Sequence, residues 1–301
     1  MNRELLQSCT LCPRRCGVNR AEGEIGFCGA KLLPKIARAA LHFWEEPCLS
    51  GKNGSGTVFF SHCTMQCVYC QNFDISTCQK GKEISIDALS GHFLRLQSEG
   101  AHNINLVTPT HFVPQIIDAL TAARQNGLSI PVVYNSSGYE SVDTLRLLDG
   151  LIDIYLPDFK YYHEKYAIRY SGAPDYFETA SQAIHEMVRQ SGPPEFDENG
   201  IMQKGTIVRH LMLPGLLFDS KKIIDYLYEA FGDAIYISIM SQYTPLPHVC
   251  AYPELDRRVP PAHYAALVDY AASLGVTQAY VQEGESAKES FIPPFCEKDS
   301  L

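Results

Sequence analysis

From about residue 57 onward the chain alternates between short apolar runs and longer amphipathic stretches. The apolar runs, rich in β-branched and aromatic residues, predict strands over 57–61, 103–108, 131–135, 152–156, 206–213, 234–239 and 279–282. Between them, apolar positions recur at helical spacing over 85–99, 114–126, 139–149, 175–191, 219–231 and 260–274. Ser85 and Asp219-Ser220 read as helix N-caps, and Gly100, Gly127, Gly150, Gly232 and Gly275 fall where helices stop. Apolar strands alternating with helices imply a parallel sheet covered by helices. The repeat fits an α/β fold, a partial (β/α)6-type open barrel. Residues 192–200, with Pro193, Pro194 and Gly200, read as an exposed turn or flap.

Residues 1–50 do not follow this rhythm and form a separate cysteine-rich extension, leaving 51–301 for the barrel. Cys9, Cys12, Cys16 and Cys28 lie within twenty residues, interleaved with Pro13, Gly17, Gly23, Gly26 and Gly29. Such a segment cannot bury a core of its own, and four thiols set in glycine turns match a small metal-folded knuckle. Zinc and an auxiliary [4Fe–4S] cluster are both compatible with the ligand set. Arg14, Arg15 and Arg20 make the densest basic patch of the chain, read as solvated charge. Residues 51–57 are glycine-rich but lack the order of a phosphate loop and precede a strand, not a helix.

A second cysteine set follows the first barrel strand: Cys63, Cys67 and Cys70, in C-x3-C-x2-C spacing. Cube clusters are ordinarily held by four thiolates, so three leave one iron open to a small chelating molecule. A zinc knuckle is the alternative, but zinc wants a fourth ligand at matching spacing. Cys63, Cys67 and Cys70, with Tyr69 before the last cysteine, resemble the signature loop of the radical S-adenosylmethionine (radical SAM) superfamily. The surrounding residues resemble the branch related to pyruvate formate-lyase-activating enzyme, and the C-x2-C-P-R-x-C start resembles further members of that group. The resemblance implies that SAM chelates the open iron and, after reduction, is split to a 5′-deoxyadenosyl radical that abstracts hydrogen from a substrate. It also implies an electron donor such as flavodoxin or ferredoxin, an oxidoreductase activity, and a protein substrate if the chain is a glycyl-radical enzyme activase. Radical modification of another protein, a peptide or a small molecule is the alternative.

Functional side chains of parallel barrels gather where strands end. Asn135 and Ser136 can hydrogen-bond a ribose, and Gly138 would let backbone approach a ligand. Arg209 sits in an otherwise apolar strand, costly unless paired, and the SAM carboxylate is a natural partner for its fork. His210, next along the strand, should face the other way as a core histidine. The resemblance adds Thr108, Thr110 and His111 as candidates near the SAM amine, and Asp158 and Lys160 as an Asp-x-Lys pair for SAM or substrate. Gln242 and Tyr243 are candidates for the substrate side. Cys48, Cys78, Cys250 and Cys296 are scattered and carry no assigned role.

Composition narrows the picture further. The 301 residues are 46% hydrophobic and 20% charged, enough for a large core, with net charge −9. That balance argues against nucleic acid and anionic membrane as partners. No run of roughly 18 apolar residues or signal-peptide pattern is present, so no membrane span is expected. Eleven cysteines without a leader point to metal in a reducing compartment, so the expectation is a cytoplasmic, oxygen-sensitive protein. The competing class is a scaffold with two structural zinc sites. No G-x-G-x-x-G follows a strand, so a dinucleotide oxidoreductase is not expected.

Overall fold

A computed structural model describes residues 4–282 together with Phe295. Its strands are β1 (Lys35–His42), β2 (Ser55–Phe60), β3 (Lys82–Glu83), β4 (Ile104–Val107), β5 (Val132–Ser136), β6 (Ile154–Pro157), β7 (Glu195–Phe196), β8 (Met202–Leu211), β9 (Tyr236–Met240) and β10 (Ala279–Val281). They form one sheet in the order β10-β9-β8-β6-β5-β4-β2-β1-β3, with β7 laid antiparallel on β8. From β2 through β10 the neighbouring strands on this path are parallel. β1 and β3 are antiparallel additions at one edge. The two edges do not pair, so the architecture is the expected open, partial (β/α) barrel.

Strand alternation sorts the side chains into two faces. Val58, Leu106, Tyr134 and Tyr155 pack outward against Ile86–Ser98, Val113–Gln125 and neighbouring helices. Val208 and Ile237 pack outward in a second cluster with Ile223, Ile224 and Leu227 of the helix Leu217–Phe231. Inside, Val133, Ile154, Leu156, Met202 and Ile207 meet Cys48 and Leu49 from the short helix Pro47–Ser50. That segment plugs the barrel floor. Residues one pleat higher on the inner face are polar: Asn135, Asp158, Arg209 and Ser238.

The strands and most helices lie within a few residues of where the sequence pattern puts them. The helix expected at 139–149 is shortened to Val142–Arg146, because 138–141 form a turn in which Gly138 has φ +75°. Residues 192–200 belong to a β7–β8 hairpin, closed by the Asp197 carboxylate accepting the amides of Asn199 and Ile201. β1 lies within residues 1–50, N-terminal to the boundary expected at 50, and pairs with β2 along its length. An additional helix, Glu164–Ser171, was not foreseen. The chain entering it is pinned by Asp219, whose carboxylate accepts the amides of Tyr162 and His163 just before the first turn. Asp219 is therefore not the N-cap expected of it: it sits inside the first turn of its own helix and anchors the approach to another. Among the described residues no helix is long and apolar enough to cross a membrane.

Candidate functional site

The loop after β2 is built around buried sulfur. Cys63 and Cys67 are buried and Cys70 is half-buried. His62 and Gln66 have φ of 75° and 54°, so the chain leaves the strand by an abrupt reversal. Each sulfur accepts a hydrogen bond: Cys63 from the Met65 amide at 3.3 Å, Cys67 from Ser171 Oγ at 3.0 Å, Cys70 from Ser76 Oγ at 3.4 Å. Burial pushes the Cys63 thiol up to about 12 and the Cys70 thiol up to about 11. Bare thiolates are therefore disfavoured here, and a bound metal would be what holds them deprotonated. Tyr69 is buried against the loop, and Tyr161 donates to its hydroxyl at 2.7 Å while also contacting Ser171 Oγ at 2.7 Å. Tyr69 thus braces the loop through the same serine that serves Cys67. Among the described residues no three His, Cys, Asp or Glu side chains converge as ligands of a single ion.

Cys67, Cys70 and Tyr69 form one wall of a cavity of about 460 Å³ at the C-terminal ends of the strands. Asn135, Asp158, Lys160, Arg209 and Ser238 line it from the barrel interior, and Glu45 and Glu46 close it from the segment after β1. Arg209 organises this interior. Its Nε donates to Asp158 at 2.9 Å, Nη1 to Glu45 at 3.2 Å and Nη2 to Asn135 Oδ1 at 2.6 Å. Lys160 Nζ donates to the other Asp158 oxygen at 2.6 Å. Burial alone would raise the Asp158 carboxyl, but Arg209 and Lys160 outweigh it and hold it below its ordinary value. Burial raises both Glu45 and Glu46 despite the attraction of Arg209. Glu46 is 8% exposed, and its Oε2 has no hydrogen-bond partner. Three carboxylates face two cations, and one buried oxygen waits for a donor.

The sequence candidates divide accordingly. Tyr69, Asn135, Asp158, Lys160, Arg209 and Gln242 line the cavity with Cys67 and Cys70. Thr108, Thr110, His111, Ser136 and Tyr243 do not. Thr108 takes φ +60° and donates its amide to the Asn135 carbonyl. Thr110 donates to Glu140 at 2.6 Å, and His111 Nε2 lies 2.8 Å from the Ser61 carbonyl. Ser136 Oγ accepts the Gly138 amide at 3.2 Å, and Tyr243 donates to the Leu255 carbonyl. His210 is satisfied on the outer face by the Phe159 carbonyl and Ser220, as alternation requires. Gly138 does not line the cavity. A Cβ there would stand 2.2 Å from the Asp158 carbonyl, so glycine lets the turn pack against the end of β6. Glu45, Glu46 and Ser171 escaped the sequence reading. A polar pair just after the apolar run of β1 was the one available signal for the first two; Ser171 had none.

In the N-terminal segment, Cys9, Cys12 and Cys28 are buried and Cys16 is exposed. The Cys9 amide donates to the Val18 carbonyl and the Gly17 amide to the Cys9 carbonyl, closing Cys9 and Cys16 into one turn system. Cys16 Sγ lies 3.9 Å from the Cys9 carbonyl, and a Cβ on Gly26 would stand 2.6 Å from Cys16 Sγ, so the chain leading to Cys28 packs against Cys16. The basic patch is not solvated as expected: only Arg15 is exposed. Arg20 is 1% exposed, donates to the Lys31 and His111 carbonyls at 2.6 Å each, and makes no ion pair among the described residues. Burial raises the Cys28 thiol, and the nearby Arg20 charge opposes that rise without cancelling it. Of the scattered cysteines, Cys48 fills the barrel floor, Cys78 and Cys250 are exposed, and Cys296 lies outside the described residues.

The fold and this site together define an open (β/α) barrel whose first parallel strand feeds a three-cysteine loop. No family model matches the chain. Uncharacterized protein MJ0674 of Methanocaldococcus jannaschii is 31% identical over 266 residues, covering 85% of this chain and 72% of the relative, and the chain belongs to its family. Among solved structures, methylornithine synthase (PylB) superposes over 73% of this chain and 60% of its own, with TM-score 0.51 and 10% identity. SuiB of Streptococcus suis covers 77% of this chain and 49% of its own, with TM-score 0.48 and 11% identity. The chain thus spans about half to three-fifths of these proteins, and the likeness to PylB shows the fold.

Proposed function

We propose that the protein is a radical SAM enzyme, with a [4Fe–4S] cluster on Cys63, Cys67 and Cys70 and SAM in the adjoining cavity. The observation that carries this reading is the cavity itself: two of the three cysteines line it opposite a paired arginine, lysine and three carboxylates. The donor set fits both groups. Three hydrogen-bonded thiols suit a cluster, whose sulfurs are tuned by such bonds. A cavity of both charge signs, with an orphaned Glu46 oxygen, suits a ligand that carries ammonium, sulfonium and carboxylate. When bound, the cluster and SAM supply reductive cleavage to a 5′-deoxyadenosyl radical that abstracts hydrogen from substrate. The chain's own residues orient the ligand. Arg209 and Asn135 present donors from the inner strands, Lys160 sets a positive charge beside Cys67 and Cys70, and Glu45 and Glu46 accept from the ligand's cationic side. An electron donor of low potential, flavodoxin or ferredoxin in class, belongs to this reading.

We read the N-terminal four cysteines as a second thiolate site, whose sulfurs zinc or an iron–sulfur cluster would draw together on binding. Buried Arg20, with no carboxylate partner among the described residues, supports an anionic centre beside Cys28. For the substrate, exposed Phe43 and Trp44 next to Glu45 favour a group presented on a peptide or protein, including the glycine of a glycyl-radical enzyme. A zinc scaffold would explain the cysteines but not the charged cavity.

The test is anaerobic reconstitution followed by low-temperature EPR. The expected result is about four irons at the loop site per chain, and a reduced-state signal that changes on SAM addition and disappears in Cys67→Ala. Zinc in the loop, with no signal, would overturn the reading.

A further inference from the structure

Cys28 and Cys63, the nearest members of the two cysteine sites, are 35 positions apart in sequence, yet the sites touch through a small set of contacts that the proposed chemistry leaves unexplained. Arg14 stands between Cys12 and Cys16, where the Arg15 amide donates to the Cys12 carbonyl in a tight turn. Its guanidinium lies over the ring of Phe27, next to Cys28, at 3.5 Å from the centroid. From there Nε donates to the Thr64 carbonyl, inside the Cys63–Cys67 segment. Nη2 donates to the carbonyls of Gly172 at 3.0 Å and Ser171 at 3.5 Å. Ser171 is the residue whose hydroxyl donates to Cys67 Sγ at 3.0 Å. A reverse contact runs from the other loop: Gln66 Nε2 donates to the Phe27 carbonyl at 3.0 Å. Each cysteine loop therefore sends one side chain into the other's backbone.

We propose that Arg14 joins the two sites into one thermodynamic unit, so that metal held by Cys9, Cys12, Cys16 and Cys28 fixes the loop carrying Cys63, Cys67 and Cys70, and the reverse. This rests on reading both cysteine sets as metal sites. Cys9–Gly17 and the segment from Ser61 to Asn72 lie outside helices and strands. Chain of that kind is ordered at an entropic cost which metal binding offsets. Two such loops that share rigid contacts order one another, and the coupling is reciprocal by linkage. The chemistry of the link needs arginine. Its planar fork reaches the Thr64 carbonyl and the helix-end carbonyls while its face rests on Phe27, which a lysine ammonium cannot do. Arg14 makes no ion pair among the described residues, so its interactions are spent on carbonyls and a ring rather than on a surface carboxylate.

Arg14 is thus a positioning residue: it acts on the cluster loop through Thr64 and Ser171. The experiment uses the full chain, reconstituted without oxygen, with Arg14→Gln, Arg14→Lys and the exposed neighbour Arg15→Gln as control. Iron loss to a chelator and the EPR signal of the reduced loop cluster are followed, with circular dichroism to check the barrel. The expected result is roughly tenfold faster iron loss in Arg14→Gln with an altered signal, the scale typical of outer-sphere partners. Arg14→Lys should fall between, and Arg15→Gln should match the parent. In the other direction, the double variant Cys63→Ala/Cys67→Ala should release the N-terminal metal faster than the parent. Iron loss and signal unchanged in folded Arg14→Gln, with iron present in the parent, would overturn this inference alone. A parent that takes up no iron in the loop would overturn it together with the radical SAM reading.

Discussion

Arg209 carries a full charge inside the barrel because each edge of its guanidinium has a partner: Asp158, Glu45 and Asn135. Removing one member of a buried charge cluster leaves the rest uncompensated. Arg209→Ala is expected to lower stability by about 3–5 kcal/mol, read from denaturant unfolding, whereas a shift within error would show the cluster to be solvated. Glu140 makes the opposite kind of prediction. It is buried, and burial raises its carboxyl from 4.5 to about 7 although Thr110, Ser136 and Tyr134 hydrogen-bond to it. Between those values the folded protein holds a proton that the unfolded chain has released, so this group removes stability as pH rises through the window. Its contribution is on the order of 3 kcal/mol, and Glu140→Gln should show a correspondingly flatter profile of unfolding midpoint from pH 5 to pH 7. Equal slopes would mean that Glu140 is ionised throughout.

At the scale of elements, the turn after β5 decides where Asp158 sits. Gly138 approaches the Asp158 carbonyl so closely, at φ +75°, that any side chain must push the end of β6 away. Gly138→Ala is therefore expected to lower the melting temperature and to weaken SAM binding together, measured by calorimetry; a variant with parental values of both would refute the packing. The β/α repeat was legible in the sequence because inner strands are continuously apolar and helices are amphipathic, and both patterns are local. The cysteine loop was legible because its spacing is covalent. Glu45 and Glu46 were not, because they reach the cavity through β1, an antiparallel strand outside the repeat, and by the plug at Pro47–Ser50. Ser171 depends on a helix whose start is fixed by Asp219, 48 positions further along, a contact with no local signature. Thr108 and Ser136 sit at strand ends as expected, but the turn and the alternation of faces keep them from the cavity.

For the whole molecule, the layers converge on one mouth. The apolar outer face holds the helices, Cys48 and Leu49 seal the floor, and the inner polar layer meets the cysteine loop above it. The N-terminal segment contributes to three parts of this arrangement: Arg14 holds the Cys63–Cys67 loop, β1 extends the sheet, and Glu45 and Glu46 finish the cavity wall. Its removal would dismantle the site rather than trim it. The central claim is that this mouth brings a cluster and SAM together for reductive cleavage. The most direct measurement is 5′-deoxyadenosine released by reconstituted protein given SAM and dithionite without oxygen. Release that ends in Cys67→Ala is expected; iron-loaded protein that forms no 5′-deoxyadenosine would contradict reductive cleavage at this mouth.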